Sequence, residues 1–491
     1  MLAILPVLTI LGWVLIFFSG AMLVPLLMAW LGDEPAAARH AYGGALILTL
    51  SAGFALWAIA RRSRAELKPR DGVLLVFLTW TVLPFFASLP LLAYFYEAGA
   101  PISFTDAYFE AMSGLTTTGS TVLTGLDLLP GSVNLWRCFL QWLGGMGILV
   151  LAVAILPMLG MGGSQLFRAE SAGPIKDAKL TPRITETAKG LWTIYAVVSV
   201  LCLLAYRAGG MSWYDAWVHM FATTSLGGMS SHDASFGHFN SPLLEWICVV
   251  FMLFASCNFA VYFVAIRKRS AWLILADPEA RGTLGLLIGA SLFVSGFLLW
   301  KGTATDPLQA LRLAFFNIVS IGSTTGFSST DYGQWPVLVP FLMLILSGVA
   351  TSAGSTGAGI KMIRLIILLK QAKREMQRLL HPRMVRPVML GQRPVSNEAI
   401  FAVLAYMLLY GAAAAGMTLL MLATDLPFDT AFAAVMANLN NMGPAINQVG
   451  PAGTYQPLTD FQTWVLTIAM LLGRLELLSV LVLFTAHFWR D

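Results

Sequence analysis

The stretch that decides the fold is FTDAYFEAMSGLTTTGST at Phe104–Thr121, because its pattern returns three times along the chain. The other copies are WYDAWVHMFATTSLGGMS at 213–230, RLAFFNIVSIGSTTGFSS at 312–329 and DTAFAAVMANLNNMGPAI at 429–446. In each copy an Ala–aromatic pair precedes a small polar residue and then one glycine, which is Gly119, Gly228, Gly326 or Gly443. These glycines are 109, 98 and 117 residues apart, and the shared register predicts a fourfold internal repeat.

Composition places this repeat in a membrane. Of 491 residues, 57% are hydrophobic and only 11% are charged, and the mean hydropathy is +0.75. Soluble chains have about 25% charged residues, so a soluble, disordered or coiled-coil protein is excluded. A membrane span needs about 20 apolar residues, and roughly ten such stretches can be counted. Residues 1–31 lack a basic beginning and are interpreted as the first span, not as a cleaved leader.

The four repeated segments are too short to cross the membrane. Each supplies about 10–12 helical residues, or roughly 15–18 Å, against a hydrocarbon core of about 30 Å. Backbone that leaves a helix at this depth is tolerated only where protein buries it or where it lines water. The sequence therefore predicts an all-α polytopic membrane protein with four pseudo-symmetric span–pore-loop–span repeats around one pore, plus two N-terminal spans.

The predicted organisation follows the repeats. Two N-terminal transmembrane helices occupy 1–70, and a basic cytoplasmic linker at 371–396 separates the last two repeats. The pore repeats are expected at 71–165, at 185–270, at 282–370 with a broken second span, and at 397–491.

Charge predicts the orientation. Four clusters hold 23 of the 30 Lys and Arg residues, near 61–70, 168–189, 267–281 and 361–393, and an even number of spans separates them. The positive-inside rule makes that side, and both termini, cytoplasmic. The opposite side carries Asp and Glu, among them Glu110, Asp127, Asp215 and Glu245. An acidic mouth concentrates cations, although ordinary solvated loop charge is an equal alternative.

The segments after the half-helices have the composition of a cation filter. Glycine permits the dihedral angles that turn carbonyl groups inward. A ring of such carbonyls replaces the hydration shell of a monovalent ion, and the negative ends of helix dipoles favour a cation. A single Gly/Thr segment is more often an ordinary turn, but four in register favour a filter.

The chain resembles the TrkH/KtrB/HKT superfamily of potassium transporters, and specifically the bacterial TrkH type. The motifs that carry the resemblance span most of the chain: AMSGLTTTGST, QWLGGMGILVLAVAILPMLG, AESAGPIKDAKLTPRITETAKGLW, STTGFSS, ATSAGSTGAGIK and LLGRLELLSVLVLF. The resemblance implies a potassium-binding filter made by backbone carbonyls only, at Thr117, Thr118, Gly119, Leu226, Gly227, Gly228, Thr324, Thr325, Gly326, Asn441, Met442 and Gly443.

Further expectations follow from the same resemblance. It implies a homodimer in the bacterial inner membrane, in contact with lipids, with a cytoplasmic TrkA-like nucleotide-binding regulator and no nucleic acid. Potassium is the transported ion, and no covalent cofactor is expected. All four filter glycines are present, as in potassium-selective members, whereas sodium-preferring relatives often carry serine at the first. The fourth segment, from Asn440 to Pro444, least resembles a potassium channel.

A second signal lies in Ser347–Gly359, where four glycines fall within one predicted span. Each glycine inside a helix costs about 1 kcal/mol relative to alanine, so a broken helix that lines the cavity is expected. Close helix packing through small residues is the alternative. In the resembled family this loop acts as an intramembrane gate, and the candidate gate residues are Gly348, Gly354, Gly357, Gly359 and Arg474.

Arg474 falls in the middle of the predicted last span, residues 461–489. An arginine at a span centre costs about 2.5–3.5 kcal/mol, so it is expected to face the pore and the loop, or else to pair with another span. The six histidines show no metal-ligand spacing, and no metal site is expected among them: His40, His219, His232, His238, His381 and His487.

The sequence is compatible with three candidate functions. The first is a potassium-conducting pore gated from the cytoplasm, and the second is a potassium symporter coupled to a proton or sodium ion. The filter does not separate these two. An intramembrane enzyme is the remote third, because neither H-E-x-x-H nor G-x-S-x-G occurs and no paired carboxylates lie inside the spans.

Overall fold

The computed structural model describes residues 4–61, 68–150, 180–391 and 393–489. Several predicted features lie outside these ranges, namely Arg62, Arg64, Arg168, Lys176 and Lys179 of the basic clusters and most of the stretch between the first two repeats. Within the described ranges the chain is α-helical apart from short 3₁₀ turns and one small hairpin.

The N-terminal unit contains two apolar stretches. Helices α1 (Ile4–Ala21) and α2 (Leu23–Leu31) together form the first, and α3 (Ala36–Ala60) forms the second. The backbones of α1 and α3 touch where Gly12 meets Gly53, since a Cβ on either glycine would lie less than 3.0 Å from the carbonyl oxygen of the other. Small residues allow this close approach of two helices in a membrane.

After this unit, a long helix, a short helix and a second long or interrupted helix follow one another four times. The first set is α4 (Pro69–Glu97), α5 (Phe104–Leu115) and α6 (Gly131–Val150). The second is α7 (Leu180–Ala208), α8 (Trp213–Thr224), α9 (Pro242–Ala255) and α10 (Phe259–Arg267), followed by the short α11 (Trp272–Ala276).

The third and fourth sets continue this order. The third is α12 (Pro278–Trp300), α13 (Pro307–Gly322), α14 (Leu338–Val349) and α15 (Met362–Leu380). The fourth is α16 (Asn397–Leu422), α17 (Phe428–Leu439), α18 (Asp460–Arg474), α19 (Leu477–Leu481) and α20 (Ala486–Trp489).

Within the described ranges, six helical stretches are long and apolar enough to span a membrane, and two bent pairs raise the number to eight. The bent pairs are α9 with α10, at 86°, and α18 with α19 and the 3₁₀ turn after it, at 111°. The expected number of roughly ten is reached if α6 and the interrupted pair α14 and α15 also cross. The protein is therefore an all-helical multi-pass membrane protein.

The short helices α5, α8, α13 and α17 have 12, 12, 16 and 12 residues. Three begin at side-chain caps, because Ser103, Ser212 and Asp306 each accept a hydrogen bond from a backbone amide of the first turn. Twelve residues correspond to about 18 Å, roughly half of the apolar core. We call the end of the molecule at which these helices begin the outer end.

Glycines fix where two of these short helices end. A Cβ on Gly144 of α6 would collide with the backbone of Leu115, the last residue of α5. A Cβ on Gly473 of α18 would collide in the same way with Leu439, the last residue of α17. Both short helices are thus seated directly on the backbone of the following helix.

The structure corrects the position of Arg474. The residue does not lie at the centre of a continuous span, because α18 ends at Arg474 and the chain then bends. The bend follows from Glu476, whose φ of 58° is incompatible with a right-handed helix.

The predicted linker at 371–396 is partly ordered structure. Helix α15 continues to Leu380, and a hairpin pairs β1 (Met389–Leu390) with β2 (Arg393–Pro394). Val388 at the edge of this hairpin packs against Ile363 and Ile367 of α15 and Val403 of α16. The linker therefore folds back on the helices that it connects.

Candidate functional site

The four turns that follow the short helices, residues 116–119, 225–228, 323–326 and 440–443, form a closed ring. A Cβ on the glycine of each turn would lie less than 3.0 Å from a carbonyl oxygen of the next turn. The contacts run from Gly119 to Gly227, from Gly228 to Thr325, from Gly326 to Met442, and from Gly443 back to Thr118. Sequence-predicted filter residues from all four segments are thus brought together at one place.

The backbone repeats one unusual shape in all four turns. The glycines have φ between 73° and 91°, and the residue two positions earlier also has positive φ: Thr117, Leu226, Thr324 and Asn441, at 53°, 56°, 65° and 50°. Positive φ is a true outlier for β-branched threonine and costs about 1–3 kcal/mol, so the surrounding structure must impose it. Only the glycines, and Asn441 less strongly, could be predicted from residue type.

Side-chain hydroxyls of the turns are turned away into hydrogen bonds. Thr118 Oγ1 lies 2.7 Å from Thr116 Oγ1 and accepts from Asn441 Nδ2 at 2.8 Å. Thr325 Oγ1 lies 2.7 Å from Ser323 Oγ in the third turn. These hydroxyls therefore already have partners within the ring.

Gln141 on α6 is a supporting residue that the sequence reasoning missed. Its Nε2 donates to Gly227 O at 2.6 Å, and its Oε1 accepts from the amide of Met229 at 3.1 Å. The side chain is fully buried and fixes the second turn from behind. A polar residue inside an apolar span was the available signal, since such residues are costly and usually functional.

Two carboxylates assigned to the acidic mouth are buried. Glu110 is 1% exposed and pairs with Arg137 at 2.6 Å, while its other oxygen accepts from the amide of Val122 at 3.0 Å. Glu245 is 4% exposed and lies 3.5 Å from Arg312. These charges are internal ion pairs, so they are neither solvated loop charges nor an open cation-attracting surface.

Other charges at the outer end do face water. Hydrogen bonds join His232 to Asp127 at 2.5 Å and to Asp215 at 3.1 Å. Desolvation raises the pKa of Asp127, but its hydrogen bonds with His232 and with the amide of Asp233 outweigh this effect and lower that pKa. Burial lowers the pKa of His232, but the two carboxylates outweigh burial and raise it. Histidine spacing in the sequence gave no sign of this cluster.

Below the ring, a non-helical segment interrupts the third set. Helix α14 ends at Val349 and α15 begins at Met362, and we call residues 350–361 the intramembrane loop. Gly354, Gly357 and Gly359 lie in this loop. Gly348 does not, because the last turn of α14 includes it, and its carbonyl instead accepts from the amide of Ile360 at 2.6 Å.

The intramembrane loop is docked against the second and third turns. Thr356 Oγ1 donates to Thr224 O, the last residue of α8, at 3.2 Å. The amide of Ala358 donates to Thr324 Oγ1 at 3.1 Å. Between them, a Cβ on Gly357 would lie 3.1 Å from the carbonyl oxygen of Ser323, so the loop lies directly under the ring.

Two cations hold the carbonyl groups of this loop. Arg474 donates to Thr356 O at 3.0 Å and to Gly144 O at 3.3 Å, and the ammonium of Lys361 donates to Gly357 O. Arg474 is 3% exposed, and within the described residues no carboxylate lies at ion-pair distance from it. The loop's own carbonyls therefore provide part of the stabilisation of a buried positive charge.

Further contacts fix both ends of the loop. Glu279 Oε1 on α12 accepts from the amides of Ala353 and Ile363, at 2.6 and 3.1 Å. Arg364 pairs with Glu476 at 2.9 Å and lies over the ring of Tyr406 at 3.9 Å. Lys361 and Arg364 were assigned to the basic cytoplasmic surface, but packing places both of them inside, next to the break in α18 and α19.

The long apolar helices, and the ring in which the turns after the four short helices meet, define this molecule as a multi-pass membrane protein. The comparison with protein families agrees: the model of the TrkH family, described as a cation transport protein, matches residues 40–490. The chain belongs to the TrkH family. Membership in a transport family excludes the intramembrane enzyme.

Individual relatives match over almost the whole chain. The chain is 46% identical to the Trk system potassium uptake protein TrkH of Halomonas elongata, over 99% of both chains. It is 41% identical to the protein of the same name from Escherichia coli K12, over 98% of both. The crystal structure of the potassium transporter TrkH from Vibrio parahaemolyticus superposes with a TM-score of 0.91 at 40% identity and covers all of both chains.

Proposed function

We propose that this protein takes up potassium across the bacterial inner membrane through one pore, surrounded by four pseudo-symmetric repeats. The closed ring of the four turns is the observation that carries the proposal. It places the backbone oxygens of Thr118, Gly227, Thr325 and Met442 at equivalent positions, and Gly227 O also accepts a hydrogen bond from Gln141 Nε2. Relatives at 41–46% identity are named as potassium uptake proteins of the Trk system, which supports potassium as the ion.

The filter assignment rests on carbonyl geometry. A Cβ at Gly119 would collide with Gly227 O, so Gly119→Ser is expected to disturb the ring and to weaken the preference for potassium over sodium. Gly125→Ser is the matched control, because Gly125 also has positive φ (67°) but has no atom within 4 Å of its Cβ position. Potassium and sodium flux into liposomes, with growth of a potassium-uptake-deficient strain on low potassium, measure the effect.

If Gly119→Ser and Gly125→Ser lose the preference for potassium over sodium equally, backbone strain explains the loss and the contact within the ring does not. Wild-type preference after serine is placed at Gly119, Gly228 and Gly326 would refute the filter.

We further propose that the intramembrane loop is the gate. The support is its position: Thr356 touches the end of α8 and Ala358 touches the third turn, while Arg474 and Lys361 hold carbonyls of the loop. A positive charge there repels a permeating cation, and the hydrogen bonds keep the loop across the axis. Removal of Gly354–Gly359 in part is expected to raise basal flux.

A symporter coupled to a proton or sodium ion is the second candidate, since the same ring serves either mechanism. Liposomes that contain only this protein separate the two functions. Flux driven by a potassium gradient alone supports a channel, and flux that requires a pH or sodium gradient supports a symporter.

The regulatory partner is proposed to dock on the surface around the end of α15. Six of the nine basic residues between 361 and 393 are exposed: Lys370, Lys373, Arg378, Arg383, Arg386 and Arg393. Large apolar side chains lie among them, with Leu379 83% exposed and Val385 96% exposed. Exposed apolar groups beside cations fit a protein partner better than lipid headgroups alone.

A TrkA-like nucleotide-binding regulator is the partner that the family resemblance favours, with the transporter itself a homodimer and both of its termini cytoplasmic. Copurification of such a regulator is expected to fall after Arg378, Arg383 and Arg386 are neutralised together. Neutralisation of the internal Arg364 is not an equivalent test, because its ion pair with Glu476 would also be lost. Undiminished copurification would refute this docking surface.

A further inference from the structure

The outer loops bring three metal-binding side chains together. Asp127 lies in the 3₁₀ turn after the first filter turn, while His232 and His238 lie in the loop after the second. One potential ligand atom from each lies within 4.8 Å of the other two. Asp127 is more than 100 positions from both histidines in sequence, so only the folded chain brings it to them.

The distances between these side-chain atoms are close to those between ligand atoms in a metal coordination shell. Ligand atoms around a tetrahedral ion with bonds of about 2.0–2.1 Å lie about 3.3 Å apart. The oxygen Asp127 Oδ1 lies 2.5 Å from His232 Nδ1 and 3.9 Å from His238 Nδ1, on either side of that value. The two imidazole rings are now stacked at 3.5 Å. His238 is 46% exposed at its side chain, so it has room to rotate its nitrogen toward an ion.

Neighbouring groups already orient two of the ligands. His232 Nε2 lies 3.1 Å from Asp215 Oδ1, which leaves Nδ1 to face Asp127 and the shared space. Asp215 is itself held by the hydroxyl of Ser212 at 2.6 Å. Asp127 Oδ2 accepts from the amide of Asp233 at 3.1 Å, which directs Oδ1 toward the histidines. A carboxylate behind a histidine is the usual outer shell of a metal-binding imidazole.

We propose that Asp127, His232 and His238 form a binding site for a first-row divalent cation such as Zn²⁺ at the outer end of the protein. Two imidazoles and one carboxylate suit Zn²⁺ and its neighbours, whereas Mg²⁺ and Ca²⁺ prefer oxygen ligands alone. Water completes the shell, because Asp127 and His238 both face solvent. The site is separate from the carbonyl ring and does not depend on the proposed filter.

Occupation of this site has two physical consequences. It ties the loop after the first turn to the loop after the second, and it adds positive charge at the entrance for cations. The added positive charge opposes entry of a cation from the outer end. External Zn²⁺ is therefore expected to reduce inward potassium flux, and a chelator to restore it.

The test is calorimetric titration of the purified full-length protein with ZnCl₂ in the presence of excess Mg²⁺ and K⁺. One Zn²⁺ per chain is expected, with saturable binding abolished in His232→Gln and in His238→Gln. Asp215→Asn is expected to weaken binding by about 10- to 100-fold, because it removes the carboxylate behind His232. Each variant is compared after size-exclusion chromatography, so that only folded protein is titrated.

His40→Gln is the matched control. His40 pairs with Glu97 at 2.9 Å on the exposed outer surface, and neither belongs to the proposed ligand set. Binding retained in His40→Gln and lost in His238→Gln supports the site. No saturable binding by the wild type, or equal binding by all four variants, would overturn the proposal. If Zn²⁺ binds as expected but does not change potassium flux, the binding site is supported and only its influence on cation entry is rejected.

Discussion

Two buried arginines show how the outer and inner parts of this molecule differ. Arg137, between the first two turns of the ring, pairs with Glu110 at 2.6 Å and also donates to Asn134 at 3.1 Å and to Ser230 O at 3.2 Å. Arg474, below the ring, donates only to the carbonyls of Thr356 and Gly144 among the described residues, and its Nε has no partner there.

The difference indicates that the charge of Arg137 is fixed in place, whereas Arg474 can release the loop. A buried ion pair with all its hydrogen bonds made cannot be opened without leaving an unpaired charge behind. Among the described residues Arg474 has no carboxylate partner, so movement of the loop breaks one hydrogen bond, to Thr356 O, and leaves the bond to Gly144 O in place. The outer network is therefore suited to hold the ring rigid, and the inner one to let the loop leave.

The largest expected effect comes from breaking the outer pair. Glu110→Gln leaves Arg137 buried without a carboxylate, and we expect the free energy of unfolding to fall by about 3–5 kcal/mol. Thermal unfolding of the purified protein in detergent measures the change. In Glu97→Gln the exposed pair with His40 is lost instead, and the expected change is below about 1 kcal/mol. Equal shifts in the two variants would contradict the fixed role of the outer pair.

The second effect concerns flux. Arg474→Met removes the charge-assisted hydrogen bond to the loop carbonyl of Thr356, worth about 1.5–3 kcal/mol, so we expect basal potassium flux to rise at least about tenfold without a cytoplasmic partner. Arg474→Lys keeps a cation at this depth and is expected to stay much closer to wild type. Flux into liposomes is normalised to the amount of folded protein, because loss of the donor can also prevent folding.

Unchanged or lower flux in folded Arg474→Met would mean that this arginine, like Arg137, is structural. The comparison between the two arginines would then fail, and the gate would lie elsewhere.

The smallest expected effect comes from removing one hydroxyl group in the intramembrane loop and one in the outer network. Thr356→Val removes the hydroxyl that donates to Thr224 O, a loss of about 0.5–1.5 kcal/mol, and we expect basal flux to rise only a few-fold. Thr121→Val removes a hydroxyl that lies 3.0 Å from both oxygens of Glu110. It is expected to lower the unfolding temperature without raising flux. A rise in flux in both variants would show that the two regions are not separate.

Much of the architecture could be predicted from the sequence. The four aligned glycines predicted the place where the turns meet, because glycine is the residue type that tolerates positive φ without strain. The four glycines of Ser347–Gly359 predicted an interrupted helix because glycine disfavours the helix interior, and three of them lie in the interruption. Family membership confirms the resemblance on which the ion and the partner were inferred.

Other features could not be predicted, since they depend on which residues meet. The positive φ of Thr117, Leu226 and Thr324 opposes their intrinsic preference, so packing around the turns must impose it. Burial turned Glu110 from a presumed surface charge into the partner of Arg137. The end of α18 at Arg474 could not be predicted, because the apolar residues continue on both sides of it.

By itself, then, the sequence determined the membrane class, the fourfold register and the positions of flexible backbone, because these follow from hydropathy, spacing and glycine content along the chain. Only the tertiary structure decided which carbonyl faces which turn, that Arg474 reaches Thr356 O, and that His232 meets Asp127. Contacts between residues more than 100 positions apart carry no local signal, since side-chain charge and hydrogen bonding acquire their roles only when folding selects the partner.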